Sequence, residues 1–116
     1  MVEEKELIKF PDWERLDIRV GKIVKAEPVE GADKLYKLTV NLGDEIGERT
    51  ICAGLKEYLG KEDLEGKKSI FLVNLEPRAL RGIESQGMIL AAGSKEDGTF
   101  ALLEPSKDLP EGTLVS

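Results

Sequence analysis

The chain has 116 residues, 41% apolar and 34% charged, with a formal net charge of −6, which is the size of one domain around one core. Its apolar runs fall far short of the ~20 residues that a membrane-spanning helix needs, and MVEEKELIKF lacks the basic and apolar regions of a secretory signal, so a cytoplasmic address without membrane attachment is expected. There is no histidine and only one cysteine, Cys52, which excludes histidine-based nucleophile systems, cysteine-rich zinc sites and an intrachain disulfide. No cofactor is expected. Amides are few while Lys and Glu abound, a balance found in proteins of hyperthermophiles, and a thermophilic source is the expectation.

The acidic total hides a local pattern. Residues 18–40 carry five basic and three acidic side chains, and residues 67–88 carry four and two, while the three intervening and flanking blocks are acidic. Any binding to a polyanion is therefore confined to these two islands.

In chain order, Phe10-Pro11-Asp12-Trp13-Glu14-Arg15-Leu16 reads as a short helical turn, with Trp13 and Leu16 three apart. The next apolar set, Ile18, Val20, Ile23, Val24 and Ala26, changes parity around Gly21, which predicts a bulged or sharply bent strand. Residues Tyr36 to Leu42 alternate without exception and predict a half-buried strand with Tyr36 in the core. Gly43-Asp44-Glu45-Ile46-Gly47 supplies the turn of a hairpin into Arg49–Ala53. Leu55, Tyr58, Leu59 and Leu64 then mark one or two helical turns. The runs Ser69–Leu75 and Met88–Ala92 read as central strands covered on both faces. Asp97-Gly98 joins the second run to Thr99–Leu103 as a hairpin. The expected fold is all-β: a five-stranded barrel of the oligonucleotide/oligosaccharide-binding (OB) type, with a short helix between strands 3 and 4 and extra C-terminal strands. It forms a single domain over 1–116, divided into an N-terminal turn (1–16), the barrel (17–95) and a C-terminal extension (96–116).

The segment from Asn74 to Met88 is a polar-rich connection between two apolar runs. Arg78 and Arg81 lie three apart between a proline and a glycine, a spacing that suits a fixed loop presenting two guanidinium forks to phosphates. Pairing with Glu76 and Glu84 on an ordinary solvated loop is the competing reading. Ser85, Gln86 and Gly87 add hydrogen-bonding groups or simple turn chemistry. Arg19, Lys22, Lys25, Lys34 and Lys37 offer a second positive face, though lysines on exposed strand positions also serve to block edge pairing. The sequence shows no phosphate loop, calcium loop or catalytic constellation.

Four ordered motifs carry a family resemblance: Asp17-Ile18-Arg19-Val20-Gly21-Lys22-Ile23, Ala32-Asp33-Lys34-Leu35-Tyr36, Asn74-Leu75-x-Pro77-Arg78-x-Leu80-Arg81-Gly82, and Ser85-x-Gly87-Met88-x-Leu90-Ala91-Ala92. Over roughly residues 8 to 116 the chain resembles the tRNA-binding domain family, the OB modules appended to methionyl-tRNA synthetases or found as stand-alone subunits. The resemblance implies structure-specific, sequence-tolerant tRNA binding by a homodimeric, non-catalytic subunit that assists a methionyl-tRNA synthetase catalytic subunit. It carries the family's binding positions to Asn74, Arg78, Arg81, Ser85 and Met88, with Lys34 flanking; Gln86 is added from its own chemistry. The chain departs from the family's pattern at Glu30-Gly31, Ala79 and Cys52-Ala53, each change removing a polar or cationic contact. A related family of export-associated chaperones shares the first motif, and a peptide-binding role is the alternative. For a dimer, the tail from Leu103 to Val115 and the turn at Trp13 are the expected contact surfaces.

Overall fold

The computed structural model describes residues 3–116. Helix α1 (Phe10–Glu14) leads into strands β1 (Ile18–Val29), β2 (Ala32–Asn41) and β3 (Glu48–Ala53), then helix α2 (Lys61–Leu64) and strand β4 (Lys68–Leu72). Five short strands follow: β5 (Arg78–Leu80), β6 (Ile83–Ser85), β7 (Met88–Ile89), β8 (Ala91–Ser94) and β9 (Thr99–Leu102). The main sheet is antiparallel throughout in the order β3-β2-β1-β4-β7, with β5-β6 and β8-β9 as separate two-stranded ribbons. This is the all-β, barrel-like plan expected, including the short helix between the third and fourth strands and the added C-terminal strands.

Strand β1 does the work of two strands. Its first part, Ile18 to Lys22, pairs with β4, and its second part, Lys22 to Val29, pairs with β2, with a register shift between Ile23 and Lys25. The predicted change of inward face at Gly21 is present: Val20, Gly21 and Ile23 are all buried. A Cβ at Gly21 would lie 2.7 Å from Leu42 Cδ2, 2.8 Å from Val40 Cγ1 and 2.9 Å from Phe71 Cδ1, so the sheet can curl at this point only because the residue has no side chain. Where β1 departs from its neighbours, other backbone groups take over. Ile23 N–H donates to Lys67 C=O at 2.9 Å and Gly66 N–H to Ile23 C=O at 2.8 Å, while Ala26 N–H donates to the Glu65 carboxylate at 2.9 Å.

The alternation in β2 holds, with Tyr36, Leu38, Val40 and Leu42 buried and the residues between them half-buried. The core joins these to Ile23, Ile51, Leu64 and Phe71, each at 0% exposure. Tyr36 belongs to the core as predicted, and its hydroxyl donates to Leu59 C=O at 2.8 Å, which satisfies the one polar atom of a buried tyrosine. The acidic turn closes with Gly47 N–H donating to Gly43 C=O at 2.7 Å. The barrel-like closure is made between β3 and the end of β6, where Gln86 N–H donates to Thr50 C=O at 2.8 Å.

Two expectations need correction. Met88–Ala92 is not a central strand covered on both faces: β7 is two residues at the end of the sheet, Met88 is 42% exposed and Ala92 is exposed. The run breaks at Leu90, after which Ala91–Ser94 leaves to pair with β9, so a run that is continuous in composition is divided between two sheets. Ser69–Leu75 is also shorter as a strand than its composition suggests, ending at Leu72 with Asn74 and Leu75 exposed. The Asp97-Gly98 hairpin is present as β8-β9, and Phe100 packs on Tyr58 with ring centroids 4.4 Å apart.

The tail returns to the barrel. Val20 N–H donates to Thr113 C=O at 2.9 Å and Val115 N–H to Ile18 C=O at 2.8 Å, covering an edge of β1 that β2 leaves open. Lys68 secures the tail through bonds to Asp108 Oδ1 at 2.7 Å and Leu109 C=O at 2.6 Å. The hydrogen bond from Lys68 holds the Asp108 carboxyl below its ordinary range, and the same bond raises the lysine.

Adding one methyl at the curl tests its geometric basis. Gly21→Ala is expected to destabilise the fold by about 1–3 kcal/mol through overpacking, read as a lower denaturant midpoint at unchanged slope; an unchanged midpoint would show that the strand can move aside.

Candidate nucleic-acid interface

The segment predicted as a loop is a hairpin. Strands β5 and β6 pair in the register Arg78 with Ser85, Ala79 with Glu84 and Leu80 with Ile83. The two residues between them, Arg81 at φ 51° and Gly82 at φ 80°, form the tight turn. A two-residue turn with both central φ values positive matches the twist of the flanking strands, and its first position is commonly Asn, Asp or Gly. Arg81 there is the one non-glycine residue with positive φ among the described residues, a conformation that costs about 1 kcal/mol or more.

The ribbon is pinned at its base by side chains from three directions. Ser85, buried at 5% exposure, accepts from Cys52 N–H at 2.9 Å and donates to Gly87 C=O at 3.3 Å. Thr50 N–H donates to Gln86 Oε1 at 3.3 Å. Arg49 on β3 donates to Val73 C=O at 2.6 Å and Gln86 C=O at 3.5 Å, clipping together the chain just before and just after the segment 74–85. Asn74 accepts from Asp17 N–H at 2.9 Å and donates to Arg15 C=O at 2.6 Å, joining the start of this segment to the N-terminal turn.

The seven predicted site residues therefore divide by role. Asn74 and Ser85 have their polar groups engaged in holding the segment in place. Gln86 uses its carbonyl side on Thr50, which leaves its amide donors for another partner. Arg78 and Arg81 are exposed, and among the described residues neither enters an ion pair, whereas Lys34 lies 3.6 Å from a Glu57 carboxylate oxygen. The competing pairing of the ribbon arginines with Glu76 and Glu84 is absent from the ion pairs formed among the described residues.

The two arginines face different clefts. Arg81 lines a shallow cleft of about 330 Å³ with Lys34 and the turn from Gly31 to Leu35, so the tertiary fold brings the two basic islands together at this point. Arg78 lines a cleft of about 310 Å³ with Ser85 and Met88. Asn74 and Gln86 line a third, of about 480 Å³, with Arg49. Burial pushes the Cys52 thiol up, against the lowering effect of Ser85 and Lys37, so the wall it contributes is uncharged at neutral pH.

The five cations of the first island do not form one positive face. Arg19 is bonded to Asp17 at 2.8 Å, Lys25 lies 3.5 Å from Glu27, and Lys22 lines a cleft beneath the tail with Asp108 and Glu111. Sequence reasoning missed Arg49. Its visible signal is that it is the one basic residue of strand β3.

A small antiparallel barrel that holds an arginine-bearing ribbon on its flank has the form of a ligand-binding module. A family model described as "Putative tRNA binding domain" matches residues 18–114, and the chain belongs to that family. It is 50% identical over 115 residues to a methionine–tRNA ligase of Pyrococcus horikoshii, covering 97% of this chain and 15% of that protein. A methionine–tRNA ligase of Deinococcus radiodurans is 48% identical over 109 residues, covering 94% and 16%. The chain thus spans about 15% of the length of the curated relatives it matches. Among solved structures, a MetRS-related protein from Pyrococcus horikoshii superposes with a TM-score of 0.88 at 38% identity, covering 97% of this chain and all of that one. The chaperone CsaA of Bacillus anthracis superposes at 0.84 with 31% identity, covering 96% and 100%.

Ser85→Ala removes the acceptor of a buried N–H and is expected to cost about 1–3 kcal/mol of stability, measured by equilibrium unfolding. No loss of stability would reassign Ser85 from anchoring the ribbon to contacting a ligand.

Proposed function

We propose that the chain binds folded tRNA by shape and phosphate contacts and assists a methionyl-tRNA synthetase as a non-catalytic subunit in the cytoplasm. The observation that carries this reading is the paired and tethered β5-β6 ribbon with Arg78 and Arg81 exposed and, among the described residues, in no ion pair, within the region matched by the family. Such guanidiniums suit phosphates. Structured RNA hides its base edges in a deep groove, so recognition rests mainly on backbone and 2′-hydroxyl contacts. Lys34 beside Arg81 extends the contact, Met88 shares the cleft of Arg78, and Gln86 lies in the adjoining cleft with Arg49. Residues 1–116 act in this reading as a single binding domain. The acidic remainder of the chain limits contact to this flank and favours a modest affinity suited to an auxiliary role.

The test is a fluorescence titration of folded tRNA, an unstructured RNA of equal length and a DNA duplex from about 50 to 200 mM salt. Preference for tRNA with a log–log slope of roughly 3 to 5 is expected, and Arg78→Ala with Arg81→Ala should lower that slope by about 2. Absence of binding at low salt would overturn the reading. The likeness to a chaperone favours a second one, an export-related peptide-binding role, which predicts suppression of aggregation with little salt dependence.

The proposed homodimer uses the N-terminal turn and the tail. Leu7, Ile8 and Phe10 are 100%, 69% and 67% exposed and Leu114 is 64% exposed, apolar area that a two-fold contact would cover. Light scattering during size-exclusion chromatography should give twice the chain mass, and Phe10→Asp should halve it; a monomer at micromolar concentration would refute the dimer.

A further inference from the structure

The flank that carries Arg78 also carries apolar surface that phosphate binding does not use. Leu75 and Met88 are 45% and 42% exposed, and both line the cleft of about 310 Å³ together with Leu80, Cys52 and Arg78. Gly87 lies in its wall, and a Cβ there would lie 2.9 Å from Leu72 C=O and 3.2 Å from Ile51 Cδ1 at a φ of 145°, so this part of the wall is backbone packed closely on the barrel. Ser85, the buried polar residue of the wall, has its hydroxyl engaged with Cys52 and Gly87.

Glu76 lines the same cleft, and this decides the ligand chemistry. A phosphate inside it would meet a carboxylate and three aliphatic side chains, with Arg78 as its only cation. A flat group with apolar faces and a polar edge meets complementary surfaces throughout: Leu75, Leu80 and Met88 against the faces and Glu76 as acceptor at the edge, with the exposed Arg78 left for the adjoining phosphate. An unstacked nucleobase has that form, and bases drawn out of RNA helices are held by stacking and by hydrogen bonds to their edges.

We propose that this cleft holds one unpaired nucleobase, so that the RNA recognised carries an unstacked nucleotide beside a helical backbone gripped by Arg78, Arg81 and Lys34. The inference rests on the RNA-binding reading above. Because Glu76 accepts but cannot donate, a base with an exocyclic amino group is favoured over uracil.

Cys52, the chain's sole cysteine, sits in the wall of this cleft and reports on its occupancy. The experiment compares a blunt RNA duplex with the same duplex carrying one bulged adenosine, measuring affinity by anisotropy and the rate at which a small thiol reagent modifies Cys52. The bulged duplex should bind about 5- to 100-fold more tightly, as stacking energetics imply, and should slow modification where the blunt one does not. Leu75→Ala, at an exposed position, should remove most of that preference while leaving the salt slope and blunt-duplex affinity unchanged.

Equal affinity for the two duplexes, or equal weakening of both by Leu75→Ala, overturns the base cleft and leaves RNA binding intact. Binding of neither at low salt overturns the parent reading and this inference with it. Protection of Cys52 by an unfolded apolar peptide, with no effect of the bulge, assigns the cleft to peptide and overturns the proposal.

Discussion

The structure depends on one strand belonging to two neighbours. β1 pairs with β4 before Lys22 and with β2 after it, and the curl that permits this is possible only where Gly21 leaves room for Leu42, Val40 and Phe71. A flat sheet would leave these apolar side chains against solvent. Curled, it wraps them around a common core, and the edge groups exposed by the curl are taken up by Lys67, Gly66 and the returning tail. The placement of every later element follows, because β4 sets where the chain emerges at Val73 and β3 sets where its return is bonded.

Between those two fixed points lies the segment that the proposed function uses. Arg49 clips both of its ends, Asn74 ties its start to the N-terminal turn, and Ser85 ties its return to β3. Polar groups that looked available for ligand contact are instead engaged in holding the backbone. What remains free among the described residues is the pair of arginines, one on a paired strand and one at a strained turn, together with the amide donors of Gln86. A guanidinium on a short, tethered hairpin loses less freedom on meeting a phosphate than one on an open loop, which offsets the unfavourable net charge of the whole chain.

The same tethering creates an apolar cleft beside a cationic edge. Charge acts over a Debye length of about 8–10 Å and is screened by salt, whereas stacking acts only at contact. A surface that has both can attract a polyanion from a distance and discriminate among polyanions at close range.

The sequence by itself determined the elements whose signals are local. The alternation from Tyr36 to Leu42, the glycine that breaks parity in β1, the turn at Gly43–Gly47 and the Asp97-Gly98 hairpin depend on period and turn chemistry, and each is present where the pattern puts it. Four ordered motifs also identified the family, since they fix residue types at spacings that few folds share. Tertiary structure alone decided the rest. The run Met88–Ala92 has the composition of one buried strand, yet it is divided between two sheets: Ala91 and Ala92 follow the Asp97-Gly98 hairpin to β9 while Met88 and Ile89 pair with β4, and the break between them at Leu90 is not encoded in composition. Leu80-Arg81-Gly82-Ile83 forms a hairpin although Arg is not the usual residue for its turn; the bonds from Arg49, Thr50 and Cys52 that hold its base come from a strand some thirty residues earlier. The roles of Asn74 and Ser85 as anchors, and of Arg49 as a clip, were hidden for the same reason. A polar side chain shows in sequence that it can form hydrogen bonds, but only the folded chain determines which partners reach it and which groups are left to face a ligand.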